Sequence, residues 1–216
     1  MHARIIGTVF RHAETRLFPP RFLPALMVWG WALGSLPPAN AQPFSSPVEV
    51  QICFDYACAH QAPAQFDAAL LDPIAASLAR ARDAAEERRL IADAVAQLYL
   101  AASRQTPIWR DRGGNRNDNT DLAGAMDCLD HAANTTAFLQ LMQRAGMLRF
   151  HRVGEPARRV RYFVAEHWSA RIIDSASNGE FAVDSWFFDL GAPALVMPLA
   201  VWRAGNDPAE QRASVQ

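Results

Sequence analysis

The order of helical periodicity and strand alternation constrains the fold of this sequence more than any other feature. Apolar residues recur at helical spacing over 83–103, and a further helix is predicted over 127–145, with Gly146 as its C-cap. Two strand-like stretches follow at 163–173 and 181–188, and the connector 174–179 has strong turn chemistry. Helices that precede a hairpin favour an α+β fold, in which a helical layer covers an antiparallel sheet.

Shorter elements complete this plan. Residues 48–54 alternate between apolar and polar side chains, which predicts a strand. A further helix is predicted over 65–79, and Pro73 inside it is expected to kink or split the helix. The apolar stretch 191–202 contains two prolines, which favours an edge strand or a packing tail.

The N-terminus has the layout of a secretory leader. An arginine-rich start is followed by an apolar run over 22–36, and 39–41 (Ala-Asn-Ala) fits the cleavage rule for small residues. We therefore predict a signal peptide over 1–41, with an uncleaved membrane anchor as the alternative. The leader predicts that the protein is periplasmic or secreted. The mature chain is predicted to have one domain over 42–205 and a flexible tail over 206–216.

The charge balance argues against a nucleic-acid partner. The chain has 21 basic and 22 acidic residues, all of the basic ones arginine, and a formal net charge of -1. Half of the residues are hydrophobic, which is enough to build a core. Membrane contact is expected only through the leader, if the leader stays uncleaved.

The three cysteines have different expected roles. Cys53 and Cys58 lie close together in sequence, and an oxidising compartment favours a disulfide between them. This pairing leaves Cys128 as an odd thiol, which in an exported protein is a candidate reactive group. The alternative is that Cys128 is buried and inert.

Cys128 stands at the start of the helix predicted over 127–145. The free N–H groups and partial positive charge of a helix N-terminus lower the pKa of a thiol, and they stabilise an oxyanion. Asp127 and Asp130 oppose the thiolate by like-charge repulsion. The thiolate therefore needs a cationic partner.

Two histidines compete for the role of that partner. His131 lies one turn further into the helix of Cys128, which makes the two side chains near neighbours. A substrate approaches a helix N-terminus from outside, however, so that a base deeper along the helix is poorly placed. His167 lies in the predicted strand 163–173, and this strand can cross the helix N-terminus from the required side.

Hairpin geometry supplies a third residue. If Ile173 faces Phe181, His167 lies opposite 185–187, and a slip of one or two residues brings Asp184 beside it. Asp184 then orients the imidazole and stabilises its charged form. The alternative is that Asp184 faces solvent. We favour the paired position, because apolar residues flank this acid and buried acids are rare unless paired.

These residues resemble a known family. The segment 127–132 reads Asp-Cys-Leu-Asp-His-Ala, similar to the motif Asp-Cys-Glu-Asp-Tyr-Ala of the bacterial transglutaminase-like cysteine proteinases. The order of Cys128, His167 and Asp184 also follows the family, and the resemblance covers roughly 111–188. Leu129 replaces the glutamate, which removes one of the acids with which some members bind calcium.

The resemblance implies a papain/transglutaminase-like core, with the catalytic cysteine at a helix N-terminus packed on an antiparallel sheet. It implies that Cys128 is the nucleophile, His167 the base and Asp184 the orienting acid in hydrolysis or acyl transfer at an amide bond. A protein or peptide substrate is expected, with no metal and no cofactor. The expected oxyanion donors are the backbone N–H of Cys128 and one of three residues: Trp109, Asn115 or Asn119.

Two other functions stay open. A zinc site would use Cys128, His131 and His167, although Asp184 would then have no partner role and no further cysteine is available unless Cys53 and Cys58 are not a disulfide. Alternatively, the protein is a catalytically inactive binding module of the cell envelope, because a fold does not fix a function. Four aromatic residues are then candidates to line a groove, unless they only pack in the core: Trp109, Trp168, Trp186 and Trp202.

Overall fold

The computed structural model of the chain describes residues 44–114, 123–161 and 165–208. Its strands are β1 (Val48–Phe54), β2 (His60–Phe66), β3 (His151–Arg161), β4 (Ala165–Asp174), β5 (Glu180–Asp184) and β6 (Leu195–Pro198). Its helices are α1 (Ala68–Ala79), α2 (Ala84–Ser103), α3 (Cys128–Arg144) and α4 (Leu199–Arg203), with a 3₁₀ turn at Pro107–Arg110. The predicted leader lies outside these ranges, and no helix within them has the length and apolar character needed to cross a membrane.

Both sheets of the described chain are antiparallel. Strands β1 and β2 form a hairpin, and a four-stranded sheet has the order β3-β4-β5-β6. Helices α1 and α2 lie between the hairpin and α3 in the chain, and α3 precedes the sheet. The predicted α+β class is therefore confirmed.

Local sequence signals set the helix boundaries. Asp83 caps α2 by accepting a hydrogen bond from Glu86 N at 2.8 Å. Asp127 and Asp130 form a reciprocal capping box at the start of α3, and Gly146 adopts a left-handed φ of 68° just beyond its end. Both helices therefore match their predicted ranges to within one residue.

Strand β2 was not predicted, and it replaces the start of a predicted helix. The helix expected over 65–79 begins at Ala68, after the cap Asp67, because Phe66 and the residue before it pair with β1. Pro63 lies opposite Gln51 in the hairpin, where an edge strand tolerates a missing N–H. Pro73 lies inside α1 without splitting the helix.

Strand β3 was also missed. Its pairing with β4 shifts register between Gly154 and Ala157, which is a β-bulge. A bulge interrupts the two-residue alternation on which strand prediction depends, and this strand also contains a glycine and a proline.

Two clusters of apolar side chains pack against the four-stranded sheet. The main cluster joins the hairpin, the first three helices and Ala170, Ile172 and Val183 of the sheet. The smaller one places Leu199 and Trp202 of α4 against other sheet residues. The edge strand expected within 191–202 is β6, which pairs with β5, whereas α4 was not predicted.

Helix α3 is also bonded to β1 and to the β1–β2 turn. The side chain of Asn134 donates to Cys53 O at 2.9 Å and accepts from Cys53 N at 2.7 Å. Ala57 N donates to Asp127 Oδ2 at 3.1 Å, and Cys58 N donates to Asp130 Oδ1 at 2.6 Å. The acids beside Cys128 therefore receive backbone N–H groups from the turn.

The turn has an unusual backbone, and a disulfide closes it. Residues Asp55, Tyr56, Ala57 and Cys58 all have left-handed φ angles, between 51° and 63°. This conformation costs a residue with a Cβ about 1–2 kcal/mol. Cys53 and Cys58 are joined as predicted, with their Cα atoms 4.6 Å apart.

We expect the Cys53→Ser/Cys58→Ser variant to lose roughly 2 kcal/mol of unfolding free energy, because the crosslink limits the unfolded chain. Urea unfolding monitored by tryptophan fluorescence measures the loss. Wild-type protein in reductant should show the same loss, whereas Cys128→Ser should not. A midpoint that neither the variant nor the reductant moves would show that the disulfide adds nothing to stability.

Candidate functional site

The N-terminus of α3 leaves one backbone N–H beside the Cys128 sulfur. The carboxylate of Asp127 accepts from Leu129 N and from Asp130 N, each at 3.0 Å. The N–H of Cys128 instead lies close enough to its own sulfur to lower the thiol pKa. The helix therefore presents this donor at the thiol, as expected for a nucleophile position.

Burial dominates the electrostatics of this thiol. Cys128 is a free, partly buried cysteine. Burial raises the pKa of the thiol to about 11, and the negative charges of Asp127 and Asp184 raise it further. A hydrogen bond from the Trp168 backbone lowers this pKa but does not offset burial. The Cys128 N–H at the helix N-terminus lowers the thiol pKa as expected, but burial outweighs this effect and the net pKa is raised.

The early end of β5 leaves part of β4 unpaired on one side, and this explains how the thiol reaches Trp168. The last pair between β4 and β5 is Ala170 with Val183, and residues 165–169 of β4 continue beyond it, paired with β3. Strand β5 ends at Asp184, so the strand predicted over 181–188 is too long. The thiol contacts the backbone of β4 along the stretch that β5 leaves unpaired.

His167 and Asp184 are hydrogen-bonded to each other where β5 ends. His167 Nε2 lies 2.7 Å from Asp184 Oδ2, and the two residues are 8% and 1% exposed. Asp184 also accepts hydrogen bonds from Trp202 Nε1 at 2.8 Å and from Trp186 N at 3.1 Å. The alternative of a solvent-facing Asp184 is therefore wrong. An ionised carboxylate only accepts, which assigns the proton to Nε2 and a lone pair to Nδ1 in the neutral ring.

Aromatic side chains surround the imidazole of His167. Its ring centroid lies 4.8 Å from that of Trp186, 5.3 Å from that of Phe187 and 5.6 Å from that of Trp202. Trp202 is fully buried, so it packs in the core and does not line a groove. An apolar enclosure of this kind strengthens the hydrogen bond of His167 with Asp184.

Within the described chain the Cys128 thiol and the His167 imidazole share no hydrogen bond, but both are linked to the same stretch of β4. Cys128 interacts with the backbone of Trp168, the residue directly after His167, and the charge of Asp184 acts on the thiol. The structure thus joins His167 to Asp184 through a hydrogen bond and brings Cys128 to the adjacent position of the same strand.

His131 is bound elsewhere. Its Nε2 lies 3.1 Å from Asp111 Oδ2, and its Nδ1 lies 2.9 Å from Ser185 Oγ. Both nitrogens are therefore engaged away from Cys128, which removes the competing base. Among the described residues no group of three or more His, Cys, Asp and Glu side chains is arranged to hold a metal ion, and the zinc set is not assembled.

The predicted second oxyanion donors do not form a cluster in the described chain. Trp109 is 58% exposed and lies against the guanidinium of Arg110, which is 4.6 Å from the centroid of a Trp109 ring. Asn115 and Asn119 lie outside the described residues. Sequence reasoning missed the backbone of Trp168 as the neighbour of the thiol. Its position directly after His167 was the available signal.

Comparison with known proteins identifies no family for this chain. Searches against protein-family models, curated proteins and solved structures find no match to this chain. The chemistry of the site must therefore be argued from its residues.

Proposed function

We propose that this protein is an exported cysteine hydrolase or acyltransferase with a papain/transglutaminase-like core, acting on an amide bond of a protein or peptide. Cys128 is the nucleophile, His167 the base and Asp184 the acid that orients the base. One observation carries the proposal. The only free cysteine of the described chain is hydrogen-bonded by the backbone of Trp168, directly after the buried His167, whose Nε2 lies 2.7 Å from a buried carboxylate oxygen of Asp184.

The raised pKa of the thiol means that nucleophilic attack would need a base. With a pKa of about 11, the thiol is almost entirely protonated at pH 7. Attack on an amide therefore requires that the proton leave sulfur as the new bond forms. His167 can take this proton on Nδ1, because Asp184 accepts the hydrogen bond from Nε2.

The reaction then follows the general scheme for a thiol nucleophile. The sulfur of Cys128 attacks the carbonyl carbon, and its proton passes to Nδ1 of His167. The carbon–nitrogen bond breaks as His167 returns that proton to the leaving amine, which leaves a thioester. Water or a second amine attacks the thioester and gives a proton to His167. The carbon–sulfur bond breaks, and His167 reprotonates the sulfur.

Backbone donors at the thiol suit the negative oxygen of the intermediate. The N–H of Cys128 remains beside the sulfur, because the cap of α3 uses the next two N–H groups. A donor that faces the developing charge stabilises it without reorganisation. The N–H of Trp168, which contacts the resting thiol, is a second donor at the same place.

A binding module of the same fold is the second candidate. The raised thiol pKa and the absence of a thiol–imidazole hydrogen bond between the described residues favour it. Trp168, whose backbone bonds the thiol, and Trp186, whose ring packs on His167, are half-buried and would contribute apolar contact surface. In such a module the thiol reacts as an ordinary buried thiol, and its loss leaves binding intact.

The two candidates differ in the reactivity of Cys128. We expect iodoacetamide at pH 7 to label Cys128 at least about 10²-fold faster in wild type than in His167→Ala, the usual minimum for a positioned base. In His167→Ala, a thiol with a pKa near 11 should react about tenfold faster per pH unit between pH 7 and 10. Peptide mapping by mass spectrometry measures both rates.

The control is His60→Ala, which removes an exposed histidine of β2. This variant should label like wild type. If wild-type Cys128 reacts no faster than the His167→Ala variant and shows the same steep pH dependence, the thiol has no base and the binding module is the better description.

A further inference from the structure

A second histidine, outside the proposed catalytic residues, joins the two halves of the site. Met126 N donates to Asp111 Oδ1 at 2.8 Å, and Asp111 Oδ2 lies 3.1 Å from His131 Nε2. His131 Nδ1 lies 2.9 Å from Ser185 Oγ. Asp111 and His131 are each 1% exposed, so the acid and the imidazole are shielded from water, whereas Ser185 is partly buried.

The arrangement has the residue types of a serine nucleophile with its base and acid, but Ser185 is not placed to attack a substrate. Its Oγ also lies 2.9 Å from Thr135 Oγ1 and 3.2 Å from Tyr99 OH. Tyr99 and Thr135 are buried core residues. The hydroxyl is thus enclosed by partners on α2 and α3, which favours a structural role over nucleophilic attack.

The two ends of this chain lie beside the proposed catalytic residues. Met126 is two residues before Cys128, and Ser185 directly follows Asp184. Ser185 is also the first residue after β5. The hydrogen bonds of Ser185 with α3 therefore hold the chain at the point where it leaves the sheet, and this exit exposes the β4 edge that the thiol contacts.

We propose that His131 and Ser185 are positioning residues for the thiol and the His167–Asp184 pair. The proposal rests on the proposed function. Through Asp111, His131 ties the segment before Cys128 to the residue after Asp184, so that the nucleophile and the orienting acid keep a fixed separation. An error of about 1 Å in such a separation is enough to cost roughly 10²-fold in rate.

The proton order explains why a histidine suits this position. Asp111 accepts from His131 Nε2, so the neutral ring has its lone pair on Nδ1 and accepts the hydroxyl proton of Ser185. Thr135 Oγ1 can then donate to the Ser185 oxygen, and Tyr99 OH donates to His131 O at 3.1 Å. Each donor of the chain thereby has an acceptor, which a buried polar network requires.

Ser185→Ala tests the proposal with little risk to the fold, because it removes one hydroxyl. We expect labelling of Cys128 by iodoacetamide at pH 7 to slow roughly tenfold, and its pH profile to steepen toward that of His167→Ala. Ser185→Thr, which keeps the hydroxyl, should restore most of the rate. The control is Thr136→Val, because Thr136 Oγ1 is buried on α3 without a partner in the described chain.

A double-mutant cycle separates positioning from a general loss of structure. In the His167→Ala background, Ser185→Ala should have no further effect on labelling, since it acts through His167. An equal tenfold loss in that background would overturn the proposal. A Ser185→Ala rate equal to that of wild type would overturn it as well.

A second readout keeps this proposal distinct from the proposed function. The NMR resonance of the His167 Nε2 proton reports its hydrogen bond with Asp184 whether or not Cys128 is reactive. This resonance should shift or broaden in Ser185→Ala and stay unchanged in Thr136→Val. If wild-type Cys128 is labelled slowly but the resonance shifts in Ser185→Ala, only the catalytic function is refuted. If the resonance is unchanged in Ser185→Ala, the positioning role is refuted.

Discussion

Replacing Cys128 by serine should reduce acyl transfer from p-nitrophenyl acetate by roughly 10³-fold or more, because a neutral hydroxyl is a far weaker nucleophile than a thiol that transfers its proton to a base. Wild type should release a burst of p-nitrophenolate and acquire one acetyl group on Cys128. The release of p-nitrophenolate and the intact-protein mass measure the two effects. An activated ester makes the experiment independent of the natural substrate.

Asp184→Asn should give an intermediate loss in the same assay. The two oxygens of Asp184 accept three hydrogen bonds, from His167, Trp202 and Trp186. An amide replaces one acceptor by a donor, so at least one of these bonds fails or His167 adopts the wrong tautomer. The expected loss is roughly 10²-fold, the lower end of what a correctly oriented base such as His167 contributes.

The acylation experiment has a clear contrary result. Equal bursts from wild type and Cys128→Ser would show that another residue is acetylated, and peptide mapping would identify it. Thr136→Val is again the control, since it changes a buried residue of α3 without touching the site. For the comparison to hold, Cys128→Ser and Thr136→Val must both keep the wild-type free energy of unfolding in urea to within about 0.5 kcal/mol.

The largest expected loss of stability lies away from the site, at Glu87 of α2. Glu87 is fully buried and accepts hydrogen bonds from Arg149 N at 2.6 Å, Phe150 N at 3.0 Å and His151 Nδ1 at 2.8 Å. Glu87→Ala leaves these donors without an acceptor, at about 1–3 kcal/mol each. We expect a total loss of about 3–5 kcal/mol in urea unfolding.

Two further variants test the origin of that loss. Asp93→Ala removes an exposed acid from the same helix and should change the unfolding free energy by less than about 0.5 kcal/mol. Glu87→Gln keeps one acceptor oxygen and should fall between wild type and Glu87→Ala. A loss below about 1 kcal/mol for Glu87→Ala would mean that water replaces the carboxylate at the start of β3.

Local sequence signals were sufficient where an element is specified within its own residues. Helices α2 and α3 carry both their apolar periodicity and their caps, Asp83 and Asp127, so their positions could be predicted. Strands β2 and β3 depend on partners. Pro63 is tolerated in β2 because the hairpin gives that strand a free edge, and the bulge after Gly154 is defined only by the pairing with β4.

The candidate site also combines features that local sequence specifies with features that depend on distant residues. Cys128, His167 and Asp184 could each be selected by residue type and predicted element, and the structure joins the last two by a hydrogen bond. The contacts of Ser185 with α3 and the end of β5 could not be predicted, because they involve residues far apart in sequence. The high pKa of the Cys128 thiol was missed for the same reason, since burial is a property of the packed chain.

By itself, the sequence determined the α+β class, the disulfide partners and the caps that place Cys128 at the first turn of a helix. These features depend on neighbours a few residues apart, where backbone geometry leaves little choice. Only the tertiary structure decided that His131 binds Asp111 and Ser185, that His167 binds Asp184, and that burial opposes ionisation of the thiol. These outcomes depend on which distant side chains exclude water from one another, and no local pattern encodes that.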